Sequence, residues 1–486
     1  MLLGTGSWPA LGLLLVAVAI AAVDAAPTTQ QHSFSTMAVS KNNHQQNAFR
    51  PLVERIYARS AANKERLLAN ANNGKHVPAA DEWGVDVLAW DKLAELTDTY
   101  GPRPGGSQAL ESALDMVASR ARAQNLSVHF EQVPIPTWNR GPESATLTTE
   151  TLKSFPLAVV GLGFTAPTPP EGINAEVVVV ASKEELDSVG AKGGIRGKIA
   201  VIAFEWTKYS DGSLIRQNAG VWAEKWGAVA VLIRSVTPYS MRTPHTGAST
   251  RASIPAAALA VEDAHMLQRQ YERSQRPGST LSPPRVHLTL ANSIGQGVSR
   301  NLVIEVLGSV RPDEIVVIGG HLDSWELGVG AADDADGYMV MHQALQLLLD
   351  ASERNPDRTV RLVAFTAEEY GLYGGHAYFA AHKHEKVVAA IESDEGVFEP
   401  GHLSVGGATT DAQFEALASV AELIREVGGR GGEVRRGGNG GPDVGDWCAQ
   451  TLCGAWDSAT PSDVYFRYHH TAADVRFHFF SHFSFL

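Results

Sequence analysis

Cysteine is almost absent: Cys448 and Cys453 are the only two among 486 residues. At most one disulfide can form, which excludes a scaffold held by a cystine framework; whether the two pair is decided by geometry that sequence does not carry. Basic residues are also short, with 40 Lys and Arg against 53 Asp and Glu and a formal charge of -13. With no clustered basic face, no nucleic-acid partner is expected. No run after the N-terminus is long and apolar enough to cross a bilayer, so the mature chain is expected to have no membrane span. Internal repeats are missing, as is any strand-fed glycine loop of the phosphate-binding kind.

The stretch from Ile315 to Asp394 is where the sequence concentrates its chemistry. Three short β-branched runs, Ile315 to Ile318, Val360 to Phe365 and Val387 to Ile391, are bounded by glycine or polar residues and read as buried parallel strands. The first leads to His321 and, past a glycine-containing loop, to Asp333 and Asp334 at the start of a helix. Val340, Ala344, Leu347 and Leu348 form the core-facing stripe of that helix. The second strand ends in Glu368 and Glu369, and the third in Asp394. Ligands of open α/β sheets bind outside the carboxyl ends of the strands, so these acids are expected to converge. Such a cluster calls for a cation, and imidazole with carboxylate is an ordinary zinc ligand set. A further nitrogen ligand is available in Tyr468-His469-His470-Thr471.

The motifs GGHLDSWELGVGAADD, FTAEE, IESDEG and YHHTAAD, with RGKIAV, IRSVTPYSMRTPHTG and IPAAALAVEDA, resemble the plasma glutamate carboxypeptidase (carboxypeptidase Q) family of co-catalytic dinuclear zinc exopeptidases. The resemblance runs from about Val85 to Asp474. It implies an α/β zinc-exopeptidase sandwich with a central mixed, mostly parallel sheet and an inserted protease-associated α/β domain. It also implies two zinc ions per subunit, with His321 and Asp394 on one, Glu369 and His470 on the other, and Asp333 bridging them. Glu368 is the implied general base toward a metal-bridged water, and Asp323 the carboxylate that orients His321. His469 is read as a neighbour of the ligand His470, and the Asp333-Asp334 bond matches a cis peptide of the family. The implied activity is hydrolysis of dipeptides or short peptides with free ends, in carboxypeptidase or dipeptidase fashion, by a homodimer. Two alternatives stand beside it: an aminopeptidase of the same chemistry, and a non-catalytic binding protein that keeps the architecture.

Along the chain, residues 1–25 contain LGLLLVAVAI followed by small residues and read as a secretory signal, giving a secreted or lumenal protein. Residues 26–80 are a pro-segment or N-terminal extension with a helix from Phe49 to Ala71. Residues 81–155 open the catalytic domain, 156–295 form the inserted domain, and 296–486 carry the zinc site. Asn125-Leu126-Ser127 is a glycosylation sequon. Arg103 and Ser107 read as ordinary loop residues, His342 as facing outward from its helix, and His376, His382 and His384 as surface residues. The glycine-rich run GGRGGEVRRGGNGGPD reads as a loop. After Asp474, VRFHFFSHFSFL departs from the family, whose members continue with Thr and a further helix.

Overall fold

A computed structural model describes residues 50–62, 89–352, 354–394, 400–428, 433–438, 441–458 and 465–475. The proposed signal, most of the N-terminal extension and the divergent tail after Val475 lie outside the described residues. The chain folds as α/β, around two eight-stranded mixed sheets.

In the first sheet the strands run, edge to edge, Ser127–Asn139, Ser293–Val306, Arg358–Phe365, Arg311–His321, Lys386–Ser393, Leu452–Ser458, Pro400–Gly407 and Glu433–Arg436. The four from Arg358–Phe365 to Leu452–Ser458 pair in parallel, and the three expected strands are among them. Every residue from Ile315 to His321 is buried, which explains why the sequence there runs continuously apolar instead of alternating. Each such aliphatic side chain contributes about 1.5–3 kcal/mol by leaving water. Register sets the chemistry: His321 lies level with Phe365, and Gly319 with Glu392. The three strand ends therefore stop at one height and release their acids into one region.

Helix Asp336–Ala351 packs under this sheet and helix Ala89–Tyr100 packs on it in turn. Ala344, Leu347 and Leu348 are buried as the stripe requires, while Val340 is half-buried. His342 does not face outward. It is 1 % exposed, because the second helix covers the side left free by the sheet. Burial, followed by the charge of Lys92, pushes its imidazole well below the ordinary value.

The second sheet runs Phe155–Leu157, Glu143–Thr148, Arg285–Leu290, Ile173–Val180, Ile199–Ile202, Ala230–Arg234, Ala256–Leu259 and Val159–Gly161. It begins with Glu143, ahead of the boundary expected at 156, because Glu143–Thr148 pairs antiparallel with Arg285–Leu290. Helices Lys183–Ala191, Tyr209–Glu224 and Val261–Ser274 complete this lobe.

Two further local readings are corrected, those of the glycine-rich run and of His382. Within the glycine-rich run, Glu433–Arg436 is an edge strand parallel to Pro400–Gly407, not a loop. Of the helix expected from Phe49 to Ala71, residues 50–62 are helical and the remainder lies outside the described residues. His376 and His384 are exposed, but His382 is half-buried, 2.8 Å from Glu131 and 3.1 Å from Glu385. Cys448 and Cys453 are joined in a disulfide with 5.0 Å between their Cα atoms. Asn125 is exposed at the turn between helix Gln108–Ala123 and strand Ser127–Asn139.

Candidate metal centre

His321 closes its strand with its side chain 1 % exposed. Its Nδ1 lies 2.9 Å from the main-chain carbonyl of Asp323 and 3.7 Å from that residue's carboxylate. The tautomer is thus fixed by the expected residue but through its backbone. The Asp323 carboxylate instead accepts the N–H of Glu368 at 3.1 Å. With Nδ1 engaged by that carbonyl, Nε2 is the ring atom that faces the acids, 3.2 Å from Asp333 Oδ1, 3.2 Å from Asp394 Oδ1 and 3.8 Å from Glu368 Oε2.

Asp333 sits in the single turn Ala331–Ala335 that precedes helix Asp336–Ala351, and its bond to Asp334 is cis. One of its oxygens faces His321, while Oδ2 lies 3.3 Å from His470 Nε2 and 3.4 Å from His469 Nε2. His470 Nε2 is in turn 2.7 Å from Glu369 Oε2. Asp333 is therefore central, with one carboxylate oxygen on either side. Of three sets of potential ligand atoms among the described residues, two contain these acids, Asp333 with Glu369 and His470, and His321 with Asp334 and Asp394, each within 4.8 Å; the third is His245 with His469 and His470. The first five residues proposed from sequence are together; Asp334, which sequence reading left without a role, joins the second set.

Glu368 and Glu369 are adjacent, yet they part. Ala367 adopts a left-handed backbone (φ 53°) and Leu372 does the same (φ 60°), so the chain turns sharply at the strand end. The Glu369 side chain is 2 % exposed and binds His470, whereas that of Glu368 is 16 % exposed. Together with Asp394, at 18 %, Glu368 forms the open side of the cluster. His470 is also left-handed, at φ 56°. Such conformations cost about 1–3 kcal/mol each and persist where surroundings over-determine them.

The electrostatics call for a cation. Burial pushes the Glu369 carboxyl up to about 7, and burial likewise pushes Glu368 well above the carboxylate range. Asp334 is driven up by burial and then by Asp394. Asp333, despite its burial, is held well below the ordinary range by His469, His321 and His470. Asp333 Oδ2, Asp394 Oδ1 and both Asp334 carboxylate oxygens are buried and accept no hydrogen bond. Anionic oxygens in that condition fit divalent cations, which satisfy them without donors.

Two supports escaped the sequence reading. Arg103 is fully buried, not an ordinary loop residue. Its guanidinium donates to the carbonyls of Leu322 (2.8 Å), Val329 (2.6 Å), Gly330 (2.9 Å) and Gly101 (2.9 Å), which braces both ends of the loop joining His321 to Asp333. Ser107 caps the next helix by accepting the Leu110 N–H at 3.1 Å. Asp474, four residues after His470, accepts the N–H groups of Ala331 and Ala332 at 2.9 Å each. It thereby ties the segment of His470 to that of Asp333.

A cavity of about 350 Å³ opens nearby, between the loop at 104–107 and Trp138, Arg140 and Glu326. Trp325 connects it with the cluster, its ring 6.0 Å from that of Trp138 and 5.9 Å from that of His470.

Comparison with known proteins agrees with this geometry. Residues 301–479 match the model of Peptidase family M28. Carboxypeptidase Q of Mus musculus is 36 % identical over 452 residues, covering 91 % of this chain and 90 % of that protein. Carboxypeptidase Q of Bos taurus is 37 % identical, with 80 % of each chain covered. Among solved structures, a peptidase M28 precursor from Shewanella amazonensis superposes with a TM-score of 0.71 at 30 % identity, covering 80 % of this chain and 87 % of that one. A zinc aminopeptidase from Bacillus subtilis shares the fold at a TM-score of 0.58 and 19 % identity, covering 79 % and 88 %. The chain accordingly belongs to peptidase family M28, as a metallo-exopeptidase related to carboxypeptidase Q.

Proposed function

We propose that this chain is a dinuclear zinc exopeptidase that hydrolyses dipeptides or short peptides with free ends in carboxypeptidase or dipeptidase fashion. The observation that carries this reading is Asp333, whose two oxygens face His321 and His470 from the middle of the cluster. In it His321 and Asp394 would hold one ion, Glu369 and His470 the other, and Asp333 would serve both. Zinc bound there supplies Lewis acidity toward the scissile carbonyl and the attacking water. Glu368, on the open side, takes the proton of that water and delivers it to the leaving amine. His321 keeps Nε2 free for the metal because Asp323 occupies Nδ1. Glu369 and His470 are buried against each other and stay out of the proton transfer.

The relatives named carboxypeptidase Q favour C-terminal action, and the intact ligand set speaks against a purely binding role. In this reading residues 1–25 serve as a secretory signal, and Asn125, exposed in its turn, is accessible to glycosylation in that pathway. A homodimer accompanies this reading and is checked by sedimentation. The deciding assay compares N-blocked, C-amidated and unblocked dipeptides, each before and after chelation. Hydrolysis of the N-blocked substrate, abolished by chelator and restored by zinc, is expected. Exclusive cleavage of the C-amidated substrate makes the enzyme an aminopeptidase, cleavage of the unblocked dipeptide alone makes it a dipeptidase, and inertness toward all three in folded, zinc-loaded protein overturns catalysis.

A further inference from the structure

Two adjacent residues of the second lobe reach the cluster. Thr246 donates its N–H to the carbonyl of His470 at 3.0 Å, and its own carbonyl lies 3.3 Å from His470 Nδ1. His245, fully buried, places Nε2 2.9 Å from His469 Nδ1, and His469 Nε2 lies 3.4 Å from Asp333 Oδ2. The lobe fixes this pair firmly. Ser235 Oγ accepts the His245 N–H at 3.0 Å, and Arg216 donates to the carbonyls of Thr246 (3.4 Å) and Ala248 (3.3 Å).

The ends of this row determine where its hydrogens sit. An ionised carboxylate only accepts, so His469 turns a protonated Nε2 toward Asp333. As a neutral ring it then accepts at Nδ1, and His245 must donate from Nε2. That leaves His245 Nδ1 bare, and this buried atom has no hydrogen-bond partner among the described residues. One tautomer of each ring suits the whole row: the His245–His469 link is a hydrogen bond, and the 3.4 Å step from His469 Nε2 to Asp333 Oδ2 is a charge–dipole contact. A metal held jointly by His245, His469 and His470 is a poorer account. The His469 and His470 rings stack at 3.6 Å with 17° between their planes, so their lone pairs run side by side instead of converging.

We propose that His245 is a positioning residue of the metal centre: through His469 it orients the Asp333 carboxylate, while Thr246 in the same loop fixes the ring of His470. This rests on the reading of Asp333 and His470 as ligands. The second lobe is then a structural part of the centre, and the first lobe alone holds an incomplete site.

Zinc alone is the probe. The full-length apoprotein is titrated with zinc as parent, His245→Phe and His245→Gln, and the absorption spectrum of each cobalt-substituted form is recorded. Phe keeps the ring but removes the donor, whereas Gln restores an N–H at similar reach. Loss of an outer-shell partner weakens metal binding about 10–100-fold. His245→Phe is expected to show that loss with a changed cobalt spectrum and an unaltered apoprotein unfolding temperature, and His245→Gln to recover most of it. Parent affinity and spectrum in His245→Phe overturn the proposal. Should His245→Phe fail to fold, His245→Asn, too short to reach His469, is compared with His245→Gln, and equal affinities overturn it. A parent that binds no zinc defeats the ligand reading instead, so the two failures are separable.

Discussion

Replacing Glu368 by Gln tests the division of labour between the two adjacent acids. The Glu368 carboxylate has His321 Nε2 as a neighbour at 3.8 Å, beyond hydrogen-bonding distance, and the contact that seats the residue runs from its main-chain N–H to Asp323. That anchor survives the substitution. The amide is isosteric and replaces a half-buried carboxyl that burial already pushes well above the carboxylate range, so neither folding nor zinc content is expected to fall. Catalysis loses its proton acceptor. General-base contributions of about 10²–10⁴ in rate correspond to about 2.7–5.4 kcal/mol of barrier. Steady-state hydrolysis of a short peptide by Glu368→Gln, with zinc measured on the same preparation, should show kcat lowered by that factor and KM little changed. Parent kcat at parent zinc content refutes the role given to Glu368. Reduced zinc content refutes its separation from the ligand Glu369.

Two other outcomes follow from the geometry. Arg103→Met leaves the carbonyls of Leu322, Val329 and Gly330 without their donor; a buried acceptor left unsatisfied costs about 1–3 kcal/mol, measured as a lowered midpoint in urea unfolding. Glu262 in the second lobe feels an upward push from burial, but Ser240 Oγ and the N–H groups of Met241 and Arg242 pull it down to about 2. Its folded-state pKa is depressed, so its stabilisation is present above the ordinary value of 4.5 and is lost as pH falls toward 2. Acid unfolding of Glu262→Gln should therefore be flatter between those values than that of the parent, and superimposable curves refute the assignment.

How much of this was legible in sequence depended on whether side chains or main chain did the work. The three parallel strands announced themselves because burial on both faces leaves continuous β-branched runs, and the acids following them could be placed by the rule for open sheets. Arg103 gave no such signal, since its partners are carbonyls, which every residue carries. Asp323 was expected to act through its carboxylate and acts on His321 through its carbonyl for the same reason. His342 was assigned to an outer face by counting one stripe, but its helix is covered on two sides, by the sheet and by helix Ala89–Tyr100. Glu433–Arg436 looked like loop because charged residues and glycines mark a short edge strand as readily as a turn. His245 was visible only as part of the RTPHTG motif, and nothing in sequence joins it to His469, 224 residues away.

The proposal of a dinuclear centre shared by Asp333 is tested most directly by the zinc stoichiometry of the chelated, folded protein. Calorimetric titration of apoprotein with zinc should give two equivalents per chain, and His470→Ala should lose one of them while keeping the site of His321 and Asp394. A single equivalent in the parent, or two retained in His470→Ala, contradicts the account.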